Sequence, residues 1–200
     1  MTRHWLSVSA FALTLGFLAT AGTGMAAEDP AAFIGDLGTG CIQVLGPNVP
    51  QGQRLARVRE LFSEDFDIPE IGRFVLGPYW RAITPEQQRE FLRLFQEYTV
   101  QAYSTRLSQF GGTPFRVTGT RRNGDEIVVT SQAAPANGGP VQIDWHLINR
   151  DGRHKITDVS VDGVSMKATQ RDAFMSVIQK NGGRADAVLA VLGQELAAAR

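Results

Sequence analysis

The sequence predicts an α+β domain: a four-stranded antiparallel sheet covered by about six helices. Three observations predict it. Apolar residues recur at three-and-four spacing from residue 30 to about residue 110. From Phe115 to Asp162 the period changes to two, broken by Asn123-Gly124 and Asp151-Gly152. Helical spacing then returns from Thr169 to the end. Helices, then a strand meander, then helices is the order of an α+β domain, whereas a doubly wound sheet alternates the two. The sheet's apolar face must be covered, and only the helices can cover it.

Ahead of these elements, residues 1–26 read as a secretory signal. Arg3 and His4 give a short basic start, Leu6 to Leu18 an apolar core, and Gly24-Met25-Ala26 a small-x-small cleavage site. The apolar core is too short for a membrane span. No Cys follows the cleavage point, so no lipoprotein anchor is expected. The mature chain should start near Ala27 in an exported compartment. Its 174 residues suit one domain, 27–200.

The first predicted helix opens at Asp29-Pro30, runs to about Leu45 and stops at Gly46-Pro47. A second spans Gln53 to Ser63, with Leu55, Val58 and Phe62 on one face. Asp67 caps a third, with Glu70 reaching back as in a capping box, and Gly77-Pro78 ends it. The fourth has the clearest start: Thr84 as N-cap, Pro85 at the first position and Gln87 as reciprocal cap. Phe91, Leu94, Phe95, Tyr98 and Ala102 form its apolar stripe. It should reach about Phe110 and stop at Gly111-Gly112, a rod of roughly 38 Å.

Phe115, Val117 and Gly119 begin the strands. Ile127 to Thr130 return after the Asn123-Gly124 turn. In the third strand Val141, Ile143, Trp145 and Leu147 face one way, and Gln142, Asp144 and His146 the other. Lys155 to Asp162 form the fourth. Two helices close the chain, Thr169 to Lys180 and Arg184 to Ala199, separated by Asn181-Gly182-Gly183.

Charge and chemistry exclude several classes. The chain has 20 basic and 20 acidic residues; without Arg3 the count is 19 against 20, unlike a nucleic-acid binder. Cys41 stands alone on a helical face, so it reads as an inert buried thiol. Ser165 in Gly163-Val164-Ser165-Met166-Lys167 lacks the second Gly of a nucleophile elbow, which leaves capping or a turn. His146 and His154 read as solvated strand residues. Of Glu64, Asp65, Asp67 and Glu70, three sit where helix capping or the N-terminal dipole favours negative charge. No catalytic group, metal site or cofactor is expected.

The most informative run is Phe66-Asp67-Ile68-Pro69-Glu70-Ile71-Gly72-Arg73-Phe74-Val75-Leu76-Gly77-Pro78-Tyr79-Trp80-Arg81, followed by Thr84-Pro85-Glu86-Gln87. It is heavily aromatic, too charged to span a membrane, and has no nucleophile or phosphate loop, which suggests a pocket for an apolar ligand. Together with Phe91, Phe95, Tyr98, the segment Lys155 to Ser165, Arg171 and Phe174, this order and spacing resembles the MlaC family of periplasmic phospholipid shuttles. That family is also called toluene-tolerance proteins and includes the hopanoid-associated HpnM branch. The resemblance covers roughly residues 30 to 198. Two positions depart from it: His154, where the family commonly has an aromatic, and Gln170, where it often has Tyr.

The resemblance implies a lipid cavity between sheet and helices. Its wall would include Phe66, Ile71, Phe74, Val75, Leu76, Tyr79 and Trp80 from the aromatic run. Phe91, Leu94, Phe95 and Tyr98 would join from the long helix, and Phe174 from a later one. Val117, Val129, Ile143, Trp145, Val159, Val161 and Val164 would come from the strands. Taken alone, the aromatic stripe of Phe91, Phe95 and Tyr98 reads as ordinary core, and only the resemblance moves it toward a lipid site. Arg73 and Arg81 are head-group candidates, or simply snorkel over the aromatics. The implied ligand is a phospholipid, and the implied partners are an inner-membrane ABC transporter complex and an outer-membrane lipoprotein complex. A monomer that binds no nucleic acid is expected. A hopanoid carrier, a small cavity enzyme and a structural adaptor with a filled core stay open as alternatives.

Overall fold

The computed structural model describes residues 28–199 apart from 47, 112, 136 and 137; the predicted signal segment, 1–26, lies outside them. Six α-helices are present among the described residues: α1 (Pro30–Val44), α2 (Gln51–Glu64), α3 (Ile68–Leu76), α4 (Pro85–Leu107), α5 (Met166–Lys180) and α6 (Ala187–Ala198). Short 3-10 turns, Gly77–Ala82 and Ser108–Phe110, follow α3 and α4. Between α4 and α5 run β1 (Phe115–Asn123), β2 (Glu126–Ala133), β3 (Val141–Arg150), β4 (Arg153–Val161) and β5 (Val164–Ser165). The sheet is a simple antiparallel meander in the order β1-β2-β3-β4-β5.

The sheet thus has five strands, not four. Asp162 and Gly163, both at positive φ (48° and 82°), fold the chain back so that Val164 and Ser165 pair with Val161 and Ser160. Two residues are too few to display an alternation. The first hairpin also differs by one place. Asn123 still pairs with Glu126, so Gly124, at φ 62°, takes the first central position, where a II′ turn favours Gly.

Local capping fixes the helix starts. The Asp29 carboxylate accepts from Ala32 N at 3.0 Å. Thr84 and Gln87 exchange both capping-box bonds, at 3.2 and 2.9 Å. At α3 only half of the predicted box forms: Asp67 accepts from Glu70 N at 3.0 Å. The Glu70 carboxylate instead pairs with Arg150, and Asp67 N donates to Ile156 O at 2.9 Å. Tertiary partners outcompete the local one. Glu64 and Asp65 correct the sequence reading further, because they end and cap the C-terminus of α2, where the helix dipole disfavours negative charge. Only Asp67 and Glu70 lie at a helix start.

Apolar packing divides in two. One cluster joins α2, α3, α4, α5 and α6 around Val75, Phe91, Ile178 and Val188, all fully buried. The other packs Ile34 of α1 against Ile127, Val129, Leu147 and Ile156 of the sheet. Phe66 touches both clusters. It is held there by a bridge to β4 in which Ile156 N donates to Asp65 O at 2.7 Å. A register shift beside His146 and Leu147 leaves Thr157 unpaired in β4, so Ile156 and Val159 both face the sheet cluster despite their odd spacing.

Candidate functional site

A cavity of about 400 Å³ opens between the helix cluster and the sheet. That falls in the range of small-molecule pockets, roughly 300–1,000 Å³. α1 supplies Leu37, Gly38, Cys41 and Ile42, with Leu45 at its end; α2 supplies Leu61 and Phe62. Phe66 precedes α3, Ile68 and Ile71 lie in it, and Phe95, Thr99, Tyr103 and Leu107 form a stripe along α4. Opposite them stand Phe115, Ala133, Val141, Ile143, Trp145, Val159 and Val161 of the strands. Phe110 closes one part of the wall, and Met166, Lys167 and Gln170 of α5 another.

Of the residues the sequence nominated, Phe66, Ile71, Phe95, Ile143, Trp145, Val159 and Val161 meet at this cavity. Val75, Leu76, Phe91, Leu94 and Phe174 lie instead inside the filled helix cluster, with Tyr79, Trp80 and Tyr98 packed against it. There Phe91 stacks on Phe95 at 5.6 Å and meets the edge of Phe174 at 5.9 Å. Val129 and Val117 belong to the sheet cluster. Phe74 and Val164 are exposed, at 36% and 56%. Arg73 and Arg81 are exposed as well and do not line the cavity.

Sequence reasoning missed the α1 wall and the second half of the α4 stripe. On α4 the lining repeats every fourth residue, from Phe95 through Thr99 and Tyr103 to Leu107. Thr99 breaks the apolar pattern, but its hydroxyl donates to Phe95 O at 2.7 Å and so adds no unsatisfied donor to the wall. On α1 the available signal was Gly38, a small residue within the apolar face Ile34, Cys41 and Leu45. It gives room to the Phe115 ring.

Polar groups on the lining are few and mostly committed. Trp145 Nε1–H donates to the buried Ser131 Oγ at 2.9 Å, so the indole presents an apolar face to the cavity. Asp158, also buried, accepts from Val159 N (2.8 Å), Lys167 N (3.0 Å) and Ser165 Oγ (2.5 Å). Its carboxylate thereby ties β4, β5 and the first turn of α5 together. Burial pushes the Cys41 thiol up from 9.0 to about 12, with Arg57 opposing weakly. A thiol so perturbed is protonated and inert at neutral pH.

The remaining candidates have structural roles. Ser165 caps α5, accepting from Ala168 N at 3.1 Å. His146 sits 3.1 Å from Glu126 Oε1. His154 is buried rather than solvated: its Nε2 lies 2.7 Å from Glu28 O, and its ring packs on Phe33 at 5.9 Å. Among the described residues, no three His, Cys, Asp or Glu side chains are grouped to hold a metal ion. Nor is any described helix long and apolar enough to cross a membrane.

Comparison with known proteins places this architecture. A family model described as MlaC protein matches residues 44–194. The intermembrane phospholipid transport system binding protein MlaC of Haemophilus influenzae is 25% identical over 190 residues, 90% of this chain and 88% of the relative. The toluene tolerance protein ttg2D of Pseudomonas putida is 27% identical over 123 residues, 61% of this chain and 57% of the relative. The fold matches that of a phospholipid-binding protein from Ralstonia solanacearum, solved in complex with a phospholipid. The TM-score is 0.73 at 22% identity, over 86% of this chain and 99% of the other.

Proposed function

The chain belongs to the MlaC family, and on that premise we propose that it is a soluble periplasmic carrier that holds the acyl part of a phospholipid in the cavity. One observation carries the reading: the space between the two packed clusters is walled almost wholly by apolar side chains and is open to the outside. A diacyl phospholipid exposes on the order of 30 methylenes, and at about 0.8 kcal/mol each their transfer to water costs roughly 24 kcal/mol. A dry cavity removes most of that barrier without covalent chemistry. The phospholipid relatives support the ligand class. The proposed route lies between an outer-membrane lipoprotein complex and an inner-membrane ABC transporter, as part of keeping outer-membrane lipids asymmetric. Phe66, Ile71, Phe95, Ile143, Trp145, Val159 and Val161 are the proposed acyl-chain contacts.

Native mass spectrometry of the protein from its periplasm, with solvent extraction and lipid analysis, tests this. The expected result is a stoichiometric phospholipid in the wild type and a reduced amount in Val159→Trp, whose indole would fill the cavity. A stoichiometric hopanoid would replace phospholipid as the ligand. A clean apo mass that added phospholipid vesicles do not change would overturn carriage altogether.

A further inference from the structure

We propose that Lys167 and Arg171 form a phosphate-binding mouth to the cavity that favours lipids with net anionic head groups. The inference rests on the carrier reading above. Lys167 is the one basic side chain lining the cavity among the described residues. It lies in the first turn of α5, and Arg171 follows four residues later on the same face. Both cations sit over the Phe74 ring, Lys167 Nζ at 4.9 Å and the Arg171 guanidinium carbon at 5.1 Å from its centroid. This accounts for the exposed Phe74 ring: it is a platform that orients two cations without neutralising them.

The charges are free to meet an anion. Six arginines, Arg57, Arg59, Arg89, Arg93, Arg150 and Arg184, have carboxylate partners within 3.0 Å. Among the described residues, no carboxylate lies within ion-pair distance of Lys167 or Arg171. Asp158 is the one carboxylate on the lining, and its oxygens are occupied by Val159 N, Lys167 N and Ser165 Oγ. Asp172, next along the helix, is exposed and pairs with neither cation.

Arg171 is also held in place. Its guanidinium donates to Phe74 O at 3.3 Å and rests against Gly77, where a Cβ would lie 2.9 Å from one of its nitrogens. Gly77, at φ 51°, suits that backbone and leaves that space. Gln170, on the lining and next to Arg171 along α5, adds an amide. A phosphodiester brings one negative charge to two cations. Asp158 keeps its charge, since its donors are neutral, but it is buried, whereas both cations stand over the exposed Phe74 ring. There the ammonium of a zwitterionic head group is repelled by the second cation, whereas an anionic head group brings no such cation.

The test uses the mature protein and mixed vesicles of phosphatidylglycerol and phosphatidylcholine with identical acyl chains, in equal amounts. Bound lipid is extracted and its ratio measured at about 0.01 M and about 1 M salt, which changes charge screening from long to short range. The wild type should load phosphatidylglycerol about twofold to fivefold over phosphatidylcholine at low salt, with a ratio near one at high salt. Lys167→Gln with Arg171→Gln should bring the ratio near one at both, while Lys167→Arg keeps the preference. Equal loading by the wild type at low salt, or a preference unchanged in the double variant, overturns the mouth and leaves carriage intact. Uptake of neither lipid overturns carriage and this inference with it.

Discussion

The ring of Phe115 occupies the space that any side chain at position 38 would need. A Cβ on Gly38 would stand 2.2 Å from Phe115 Cε1 and 2.4 Å from its Cζ. Both residues line the cavity, so this contact sets the separation of α1 from β1.

Gly38→Ala should therefore push the Phe115 ring into the space the cavity leaves open. Better helix propensity would add about 1 kcal/mol, and overpacking would cost about 1–3 kcal/mol. The net expectation is a lower Tm, at about 2–4 °C per kcal/mol for a chain of this size, together with reduced lipid stoichiometry. Thermal unfolding and native mass spectrometry check both. A raised Tm with full lipid loading would show that the ring moves aside freely.

Ser131 and Trp145 should be energetically coupled. Ser131→Ala leaves the Trp145 indole N–H without its 2.9 Å acceptor in a buried setting, at a cost of about 1–3 kcal/mol. Trp145→Phe removes the donor as well as packing area. The double variant should lose less than the two singles added together, because neither member is then left unsatisfied. Urea unfolding of the four proteins measures this, and strict additivity would rule the bond out as a determinant of the wall.

Cys41 should be chemically silent at ordinary pH. With its thiol pushed to about 12, its thiolate fraction at about pH 8 is on the order of a thousandfold below that of a thiol at 9.0, and alkylation should slow in proportion. Bound lipid should slow it further, since the residue lines the cavity. The folded state disfavours the thiolate. Its contribution to stability is therefore full below pH 9.0 and lost as pH rises toward about 12. Urea midpoints taken across that window should fall more for the wild type than for Cys41→Ala. Rapid alkylation of the apo protein at about pH 8 would contradict the burial.

The starts of α1 and α4 were legible because each depends on a few neighbouring residues. Asp29, and Thr84 with Gln87, act within a span of three positions, and sequence shows that span directly, whereas α5 was expected from Thr169 and in fact starts at Met166, capped by Ser165. The meander was legible for a similar reason, since period-two alternation and positive-φ turn residues are local. The second arm of the α3 box was not. Arg150, 80 residues away, takes the Glu70 carboxylate, and Ile156 O takes the Asp67 amide. His154 failed the same way: it follows a polar hairpin in sequence, but α1 and Glu28 cover it in space.

By itself, then, the sequence determined an α+β order, the caps of α1 and α4, the meander from β1 to β4 and an apolar run beside Phe66. What it left open was which aromatic residues fill space and which surround it. Phe91 and Phe95 are four residues apart on one helix face, and nothing in their spacing separates them. The tertiary structure packs Phe91 completely, between Phe95, Phe174 and Trp80, and leaves Phe95 at the edge of an open volume. A cavity is the distance between elements that do not quite meet. That distance is set here by α1 against β1, by Phe66 pinned to β4, and by Asp158 holding α5 at the rim. The first two contacts join residues remote in the chain and the third crosses the β4–β5 turn, so no helix or strand period encodes them.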